Sequence, residues 1–175
     1  MLANLDIYAT WRRLSRLPKG KWLFSKLVGW TAPYSGSIAA QVIDLSPGRA
    51  ELRLRDRHRV RNHLGSIHAI ALINLGEFCS GLALYAAMPT THRGIISAIS
   101  MRYLKKARGA IRARCEVAVV EWRDEDCDAC LVTELFDQAG DKVAIAEVNW
   151  RLGLKNRVAN TLAESRVDMQ VHGKS

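Results

Sequence analysis

The stretch from Ser66 to Met88, SIHAIALINLGEFCSGLALYAAM, decides how the rest of the chain is read. It is rich in Ala and Leu and carries apolar side chains on nearly every side of a helix. A helix that is hydrophobic all round belongs inside a protein rather than on its surface. Its neighbours alternate with period two instead, the signature of half-buried strands. Upstream, Ile38, Ala40 and Val42 alternate with Ser37, Ala39 and Gln41, and Ser46-Pro47-Gly48 supplies a turn. Beyond it Ala50, Leu52 and Leu54 share one side of a second strand. Arg49, Glu51, Arg53, Arg55 and Arg57 share the other, which must face solvent or an anion. Downstream lie four more strand-like segments, near residues 94–104, 109–121, 128–137 and 142–152. The second is the cleanest, with Ile111, Ala113, Cys115, Val117 and Val119 alternating against Arg112, Arg114, Glu116 and Ala118. Asp137 to Gly140 is the turn between the last two. One buried helix followed by a strand meander predicts an α+β fold, an antiparallel sheet wrapped around that helix.

Two short helices are expected ahead of this core. Residues 5–17 place Ile7, Trp11, Leu14 and Leu17 at helical spacing, Pro18 and Gly20 break the run, and residues 21–30 resume it. Pro33 to Gly36 then reads as a connecting turn. The organisation is therefore an N-terminal helical extension over 1–35, a main domain over 36–153, and a polar, basic tail over 154–175 that forms at most a frayed helix. The extension carries Arg12, Arg13, Arg16, Lys19, Lys21 and Lys26 against one acid, Asp6, interleaved with Trp11, Trp22 and Trp30. A membrane-surface role is one reading of that mixture. The expected one is that the tryptophans pack on the main domain and the basic residues are solvated.

With 175 residues, 49% of them hydrophobic and 25% charged, the chain suits one domain with a substantial core. No uncharged apolar run approaches the roughly 18 residues that span a bilayer. The first residues lack the order of a signal peptide, so a cytoplasmic address is expected. The formal charge of +9 asks for an anionic partner or a solvation account: nucleic acid, a membrane surface, or a small polyanion. Four cysteines (Cys79, Cys115, Cys127 and Cys130) are too few for a disulfide framework, and Cys127 with Cys130 are expected to be reduced core thiols.

Between His68 and His92 the only formally charged residue is Glu77. A carboxylate centred in an apolar helix carries a large desolvation cost unless something pairs or uses it. Burial should raise its pKa, which suits a proton acceptor near neutrality; pairing with one of the many arginines is the alternative. Asn62, His68 and Glu77 are spaced N-x5-H-x8-E, with Gly65 bending the chain before the helix. A helix start leaves backbone N–H groups free and favours negative charge. The amides of Ile67 to Ala69 are therefore candidates to hold a carbonyl oxygen as it gains charge.

The segment NHLGSIHAIALINLGEFCSG, residues 62–81, resembles the signature of hotdog-fold acyl-CoA thioesterases of the phenylacetate-degradation type. That family places an acid nine residues after a His. Met101 to Gly109, ending in Arg108-Gly109, resembles the strand and Arg-Gly turn of the same proteins, and Phe136 to Gly140 with the strand to Trp150 resembles their closing hairpin. The matches span residues 36–152. The resemblance implies a hotdog fold, a homodimer with a tetramer as a further option, and an acyl-CoA substrate. It implies Glu77 as nucleophile or general base, Asn62 orienting the substrate carbonyl or water, His68 shaping the oxyanion end, and the Ala69 amide donating to the carbonyl oxygen. Gly65 bends the substrate-binding loop. One departure is plain: the family's Gly-Gly after the His is Ala69-Ile70 here. The alternative function is a non-catalytic acyl-CoA or acyl-lipid binding module associated with membranes.

The remaining candidates carry less. His58, His63 and His68 recur every five residues in a loop, a spacing poor for joint metal ligation, so no metal or other cofactor is expected. Cys79 and Ser80 flank the acid without a His–Asp arrangement to activate them. Arg102, Lys105, Lys106, Arg108, Arg112 and Arg114 lie in a run without an acid. It lacks the stacking aromatics of a nucleic-acid surface, beyond Tyr103. The resemblance places the coenzyme A phosphates there, against Arg102, Lys105, Lys106 and Arg108; the alternative is a solvated strand edge.

Overall fold

The structure, a computed structural model, describes residues 6–117, 122 and 124–155. Three helices lead the chain: α1 over Ile7–Leu14, α2 over Gly20–Thr31 and α3 over Pro33–Gly36. Two were expected; the Pro33 to Gly36 turn closes into a helical turn of its own, with Pro in its first turn, where a missing N–H costs nothing. Asp6 caps α1 by accepting from the Ala9 amide at 2.7 Å. α3 lies hard against α2: a Cβ on Gly36 would sit 2.1 Å from the Gly29 carbonyl oxygen.

The strands are β1 (Gln41–Ser46), β2 (Arg49–Leu54), β3 (His92–Tyr103), β4 (Ile111–Glu116), β5 (Cys127–Phe136) and β6 (Lys142–Leu154). They form one sheet in the order β1-β2-β4-β5-β6-β3, and every neighbouring pair is antiparallel. The expected alternation is realised in β4, where Ile111, Ala113 and Cys115 are buried and Arg112, Arg114 and Glu116 face out. Its continuation through Ala118 and Val119, and the tail from residue 156, lie outside the described residues. β1 starts at Gln41, later than the alternation from Ile38 suggests, because Ala39 adopts a left-handed φ of 45° that breaks the extended run.

The long helix, α4, spans Ala69–Ala87. It begins three residues after Ser66: His68 is its cap, accepting from the Ile70 amide through Nδ1 at 3.1 Å. Length and a mean hydropathy of 1.5 would let it cross a bilayer, yet the sheet encloses it and 72% of it is buried. Leu72, Leu75, Phe78, Cys79, Leu82 and Leu84 pack on the inward residues of the strands. Close approach is enforced by Gly76, where an added Cβ would meet the Ala146 Cβ at 2.6 Å, and by the buried Thr133 hydroxyl, which donates to the Gly76 carbonyl. This is an α+β architecture of the hotdog type.

Two expectations about side-chain burial fail. Trp11 packs in the core edge-on to Phe24, but Trp22 is 55% and Trp30 78% exposed. They stand on the outer face of α2, where helical geometry leaves them once Phe24 and Val28 have turned inward. Likewise Cys130 is exposed and Cys127 half-buried, because β5 turns neighbouring residues to opposite faces; the buried thiols are Cys79 and Cys115.

Candidate functional site

Glu77 sits mid-way along α4, half-buried. No Lys or Arg among the described residues forms an ion pair with it; its Oε2 instead accepts from the Ser35 hydroxyl of α3 at 3.1 Å. Pairing with an arginine, the alternative left open by the sequence, is not what the fold builds. Burial pushes the Glu77 carboxyl above its usual range, and the Ser35 hydrogen bond partly offsets that. One turn earlier, buried Asn74 donates to the Tyr34 carbonyl at 3.1 Å, while its own Oδ1 has no partner among the described residues. One turn later, buried Ser80 donates to the Glu77 carbonyl and accepts from the Trp150 indole at 3.4 Å. The carboxylate thus sits in a polar seam closed by the N-terminal extension. A cavity of about 370 Å³ opens between α2 and the ends of β1 and β2, lined by Trp22, Lys26, Trp30, Arg57 and Phe78 among others, and Glu77 is not in its lining.

The start of α4 is organised by Asn62. Its Oδ1 accepts from the Leu64 and Ser66 amides at 3.0 and 3.1 Å, and its own amide donates to the Ser66 carbonyl. Gly65 supplies the left-handed φ of 67° that this loop needs. Of the polar groups of Asn62, the side-chain amino group alone has no partner among the described residues. Of the three backbone amides expected to be open, two are not. Ile67 donates to the Ala107 carbonyl and His68 to the Val60 carbonyl, each at 2.8 Å, because the loop is pinned to both flanking segments. The Ala69 N–H alone has no partner among the described residues. His68 is exposed; with Nδ1 accepting from Ile70, its ring proton lies on Nε2.

The basic segment lies at this same end, since the Tyr103 hydroxyl donates to the Ala69 carbonyl at 3.2 Å and Ala107 receives the Ile67 amide. Arg102, Lys106 and Arg108 are exposed and make no ion pair among the described residues. Lys105 is different: Asp137 and Asp141 hold it at 2.8 and 2.6 Å, raising its pKa. The run lacked an acid in sequence, but the β5–β6 turn delivers two in space. Asp56, ion-paired to Arg61, accepts from the Gly109 amide and ties the Arg-Gly turn to the loop before α4. Sequence reasoning missed Ser35 and Asp56, which reach the site only through tertiary packing. Asn74 was legible, as a polar residue one turn from the acid on an apolar helix.

An antiparallel sheet wrapped on a long buried helix is the hotdog architecture. Within it, the chain belongs to the family described as "Domain of unknown function (DUF4442)", whose model matches residues 20–152. A structural-genomics crystal structure is similar at 30% identity over 85% of this chain and 98% of its own, with a TM-score of 0.73. A Pseudomonas aeruginosa protein of unknown function, described as a probable thioesterase, aligns at 22% identity over 79% and 97%, TM-score 0.69. A variant of the phenylacetic acid degradation protein of Thermus thermophilus aligns at 20% over 68% and 97%, TM-score 0.58. At those last two identities the likeness is one of fold. No curated protein sequence matches the chain.

Proposed function

We propose that the protein hydrolyses an acyl-CoA thioester at a site shared between two copies of the chain. The observation that carries this reading is Glu77: a carboxylate in a buried helix, without a cationic partner among the described residues, its pKa raised, in a fold shared with thioesterases. As general base it takes a proton from water while the water oxygen attacks the thioester carbon; as nucleophile it attacks that carbon itself and water releases the acyl group afterwards. The carbonyl oxygen gains charge in either case, and the Ala69 N–H at the positive end of α4 meets it. The Asn62 amino group and the His68 Nε2–H are further donors at that end. Collapse expels the coenzyme A thiolate, which leaves with a proton. The acyl-binding module without turnover is favoured by one feature: Ile70, 51% exposed, narrows the approach to the Ala69 amide. Thiol release from a panel of acyl-CoAs, read with a colorimetric reagent, decides between them.

An exposed strand edge supports the second copy. β3 is a twelve-residue edge strand, paired on one side to β6. Ile95, Ile99, Tyr103 and the following Leu104 are 54%, 39%, 47% and 52% exposed. A long apolar edge invites another strand, and a two-fold axis perpendicular to it closes the assembly as a dimer.

Two expected outcomes follow from particular contacts. Ser35→Ala removes the hydrogen bond that favours ionised Glu77, so its pKa rises further. The acid limb of the pH–rate profile then moves to higher pH, with the plateau rate changed less than about tenfold; an unmoved limb would separate Ser35 from the working carboxylate. Replacing Lys105, Lys106 and Arg108 with Ala should raise KM for coenzyme A thioesters about tenfold more than for pantetheine thioesters, which lack the nucleotide phosphates. The difference should shrink in high salt. Equal weakening of both would make the segment a solvated edge.

A further inference from the structure

The outer face of α2 inverts the usual pattern of a surface helix. Phe24, Ser25 and Val28 are buried against the body of the protein, whereas Trp22, Leu23, Lys26 and Trp30 point to solvent. At about 100° per residue those four outward side chains fall within a sector of roughly 100°, opposite the buried ones. Trp22, Leu23 and Trp30 are 55%, 48% and 78% exposed, and the neighbouring Leu17 and Tyr34 are 56% and 73% exposed. Exposed apolar residues scattered singly need no account, but tryptophans gathered on one face with leucine and tyrosine do.

Charge decides what covers this face. Lys26, Arg55 and Arg57 line one groove with Trp22 and Trp30, and Lys19 lines a second with Leu17 and Trp22. Arg12, Arg13 and Arg16 are exposed on and just after α1, and the only acid among the described residues of the extension is Asp6. Lys26 lies 5.9 Å from the centre of the Trp22 ring, so cation and aromatic project together. Lys21 is committed elsewhere, donating to the Ile43 carbonyl at 2.7 Å. Indole rings interleaved with Lys and Arg on an exposed helix suit the boundary between headgroups and acyl chains of an anionic bilayer, with the rings at the interface and the ammonium groups among phosphates. A partner protein would need a dense acidic surface with apolar slots to match as well. α2 packs on β1, the edge of the sheet opposite β3, so a dimer formed along β3 uses a different edge.

We infer that α1 and α2 dock the protein on the surface of an anionic lipid membrane, with Trp22 and Trp30 as the inserted side chains. Docking of this kind is independent of thioester hydrolysis. The test uses the full chain and extruded vesicles, either pure phosphatidylcholine or phosphatidylcholine with about a third phosphatidylglycerol. Co-sedimentation should show binding to the anionic vesicles, at least about tenfold weaker to neutral ones and weakened by high salt. Lipids brominated in the acyl chain should quench part of the tryptophan fluorescence. Trp22→Ala with Trp30→Ala should lower partitioning by about tenfold or more while the thermal unfolding temperature stays close to that of the parent. Arg13→Gln with Arg16→Gln, well away from the core, should lower it less and remove much of the salt dependence. Glu77→Gln should bind vesicles like the parent, which keeps this outcome separate from any failure of the hydrolase reading. No binding to anionic vesicles, or a folded double tryptophan variant that binds unchanged, overturns the inference. So does a double variant that shrinks the oligomer, because the face would then belong to a second copy of the chain.

Discussion

Glu77→Gln should lower thioester hydrolysis about a thousandfold, roughly 4 kcal/mol of barrier, while the protein stays folded. The amide keeps the size of the carboxylate but can neither accept a proton from water nor attack a carbonyl. Stability gives this substitution a second readout. Burial raises the folded pKa of Glu77 above its ordinary value of 4.5. A group shifted in that direction contributes stability that is fully present below the unfolded pKa and is lost as pH rises through the folded pKa. Above the folded pKa the ionised carboxylate therefore weighs against the fold, and Gln relieves it. The variant should unfold at the same temperature as the parent or higher at pH 7, and the gap should close in acid. Turnover within about tenfold of the parent would remove Glu77 from the mechanism. A clear loss of stability would show that the carboxylate is a structural partner instead of a strained functional group.

A mixture of two inactive variants should recover activity. Glu77 lies eight residues into α4 from Ala69, so the helix start and the carboxylate are about 12 Å apart along the axis. They cannot converge on one thioester from a single helix. In the proposed dimer, the helix start of one copy works with Glu77 of the other. Asn62→Ala with His68→Ala disables one half of each site, and Glu77→Gln disables the other half. Random exchange makes half the dimers mixed, each with one working site of two, so activity should return to about a quarter of the parent. Each variant alone should stay near background. If the two are folded and shown to exchange subunits yet the mixture stays inactive, the site lies within one chain.

The exposed β3 edge and the exposed face of α2 make different demands on the surface. The first is backbone lacking a ladder partner, which another strand satisfies by hydrogen bonds. The second is side-chain apolar area among cations, which a strand cannot satisfy but an anionic interface can. A single molecule thus presents two surfaces with distinct chemistry, one at each edge of the sheet.

The sequence by itself determined the core. A helix apolar all round can only be enclosed, and strands alternating with period two can only present one face to it, so Ser66 to Met88 and its flanks specified the sheet-wrapped helix. It also determined the acid, because Glu77 is the single charge in that helix and desolvation follows from burial. Tertiary structure decided what surrounds that acid. Ser35 reaches Glu77 across 42 positions because α3 is packed on α2 through Gly29 and Gly36, a contact set by three-dimensional approach and invisible to local periodicity. It decided which helix-start amides are open, since the carbonyls that occupy Ile67 and His68 come from Ala107 and Val60. It withdrew Lys105 from the free cations by bringing Asp137 and Asp141 against it. And it turned Trp22 and Trp30 outward: the spacing of α2 allows either face to be buried, and only packing against β1 and α1 selects the one that carries Phe24 and Val28.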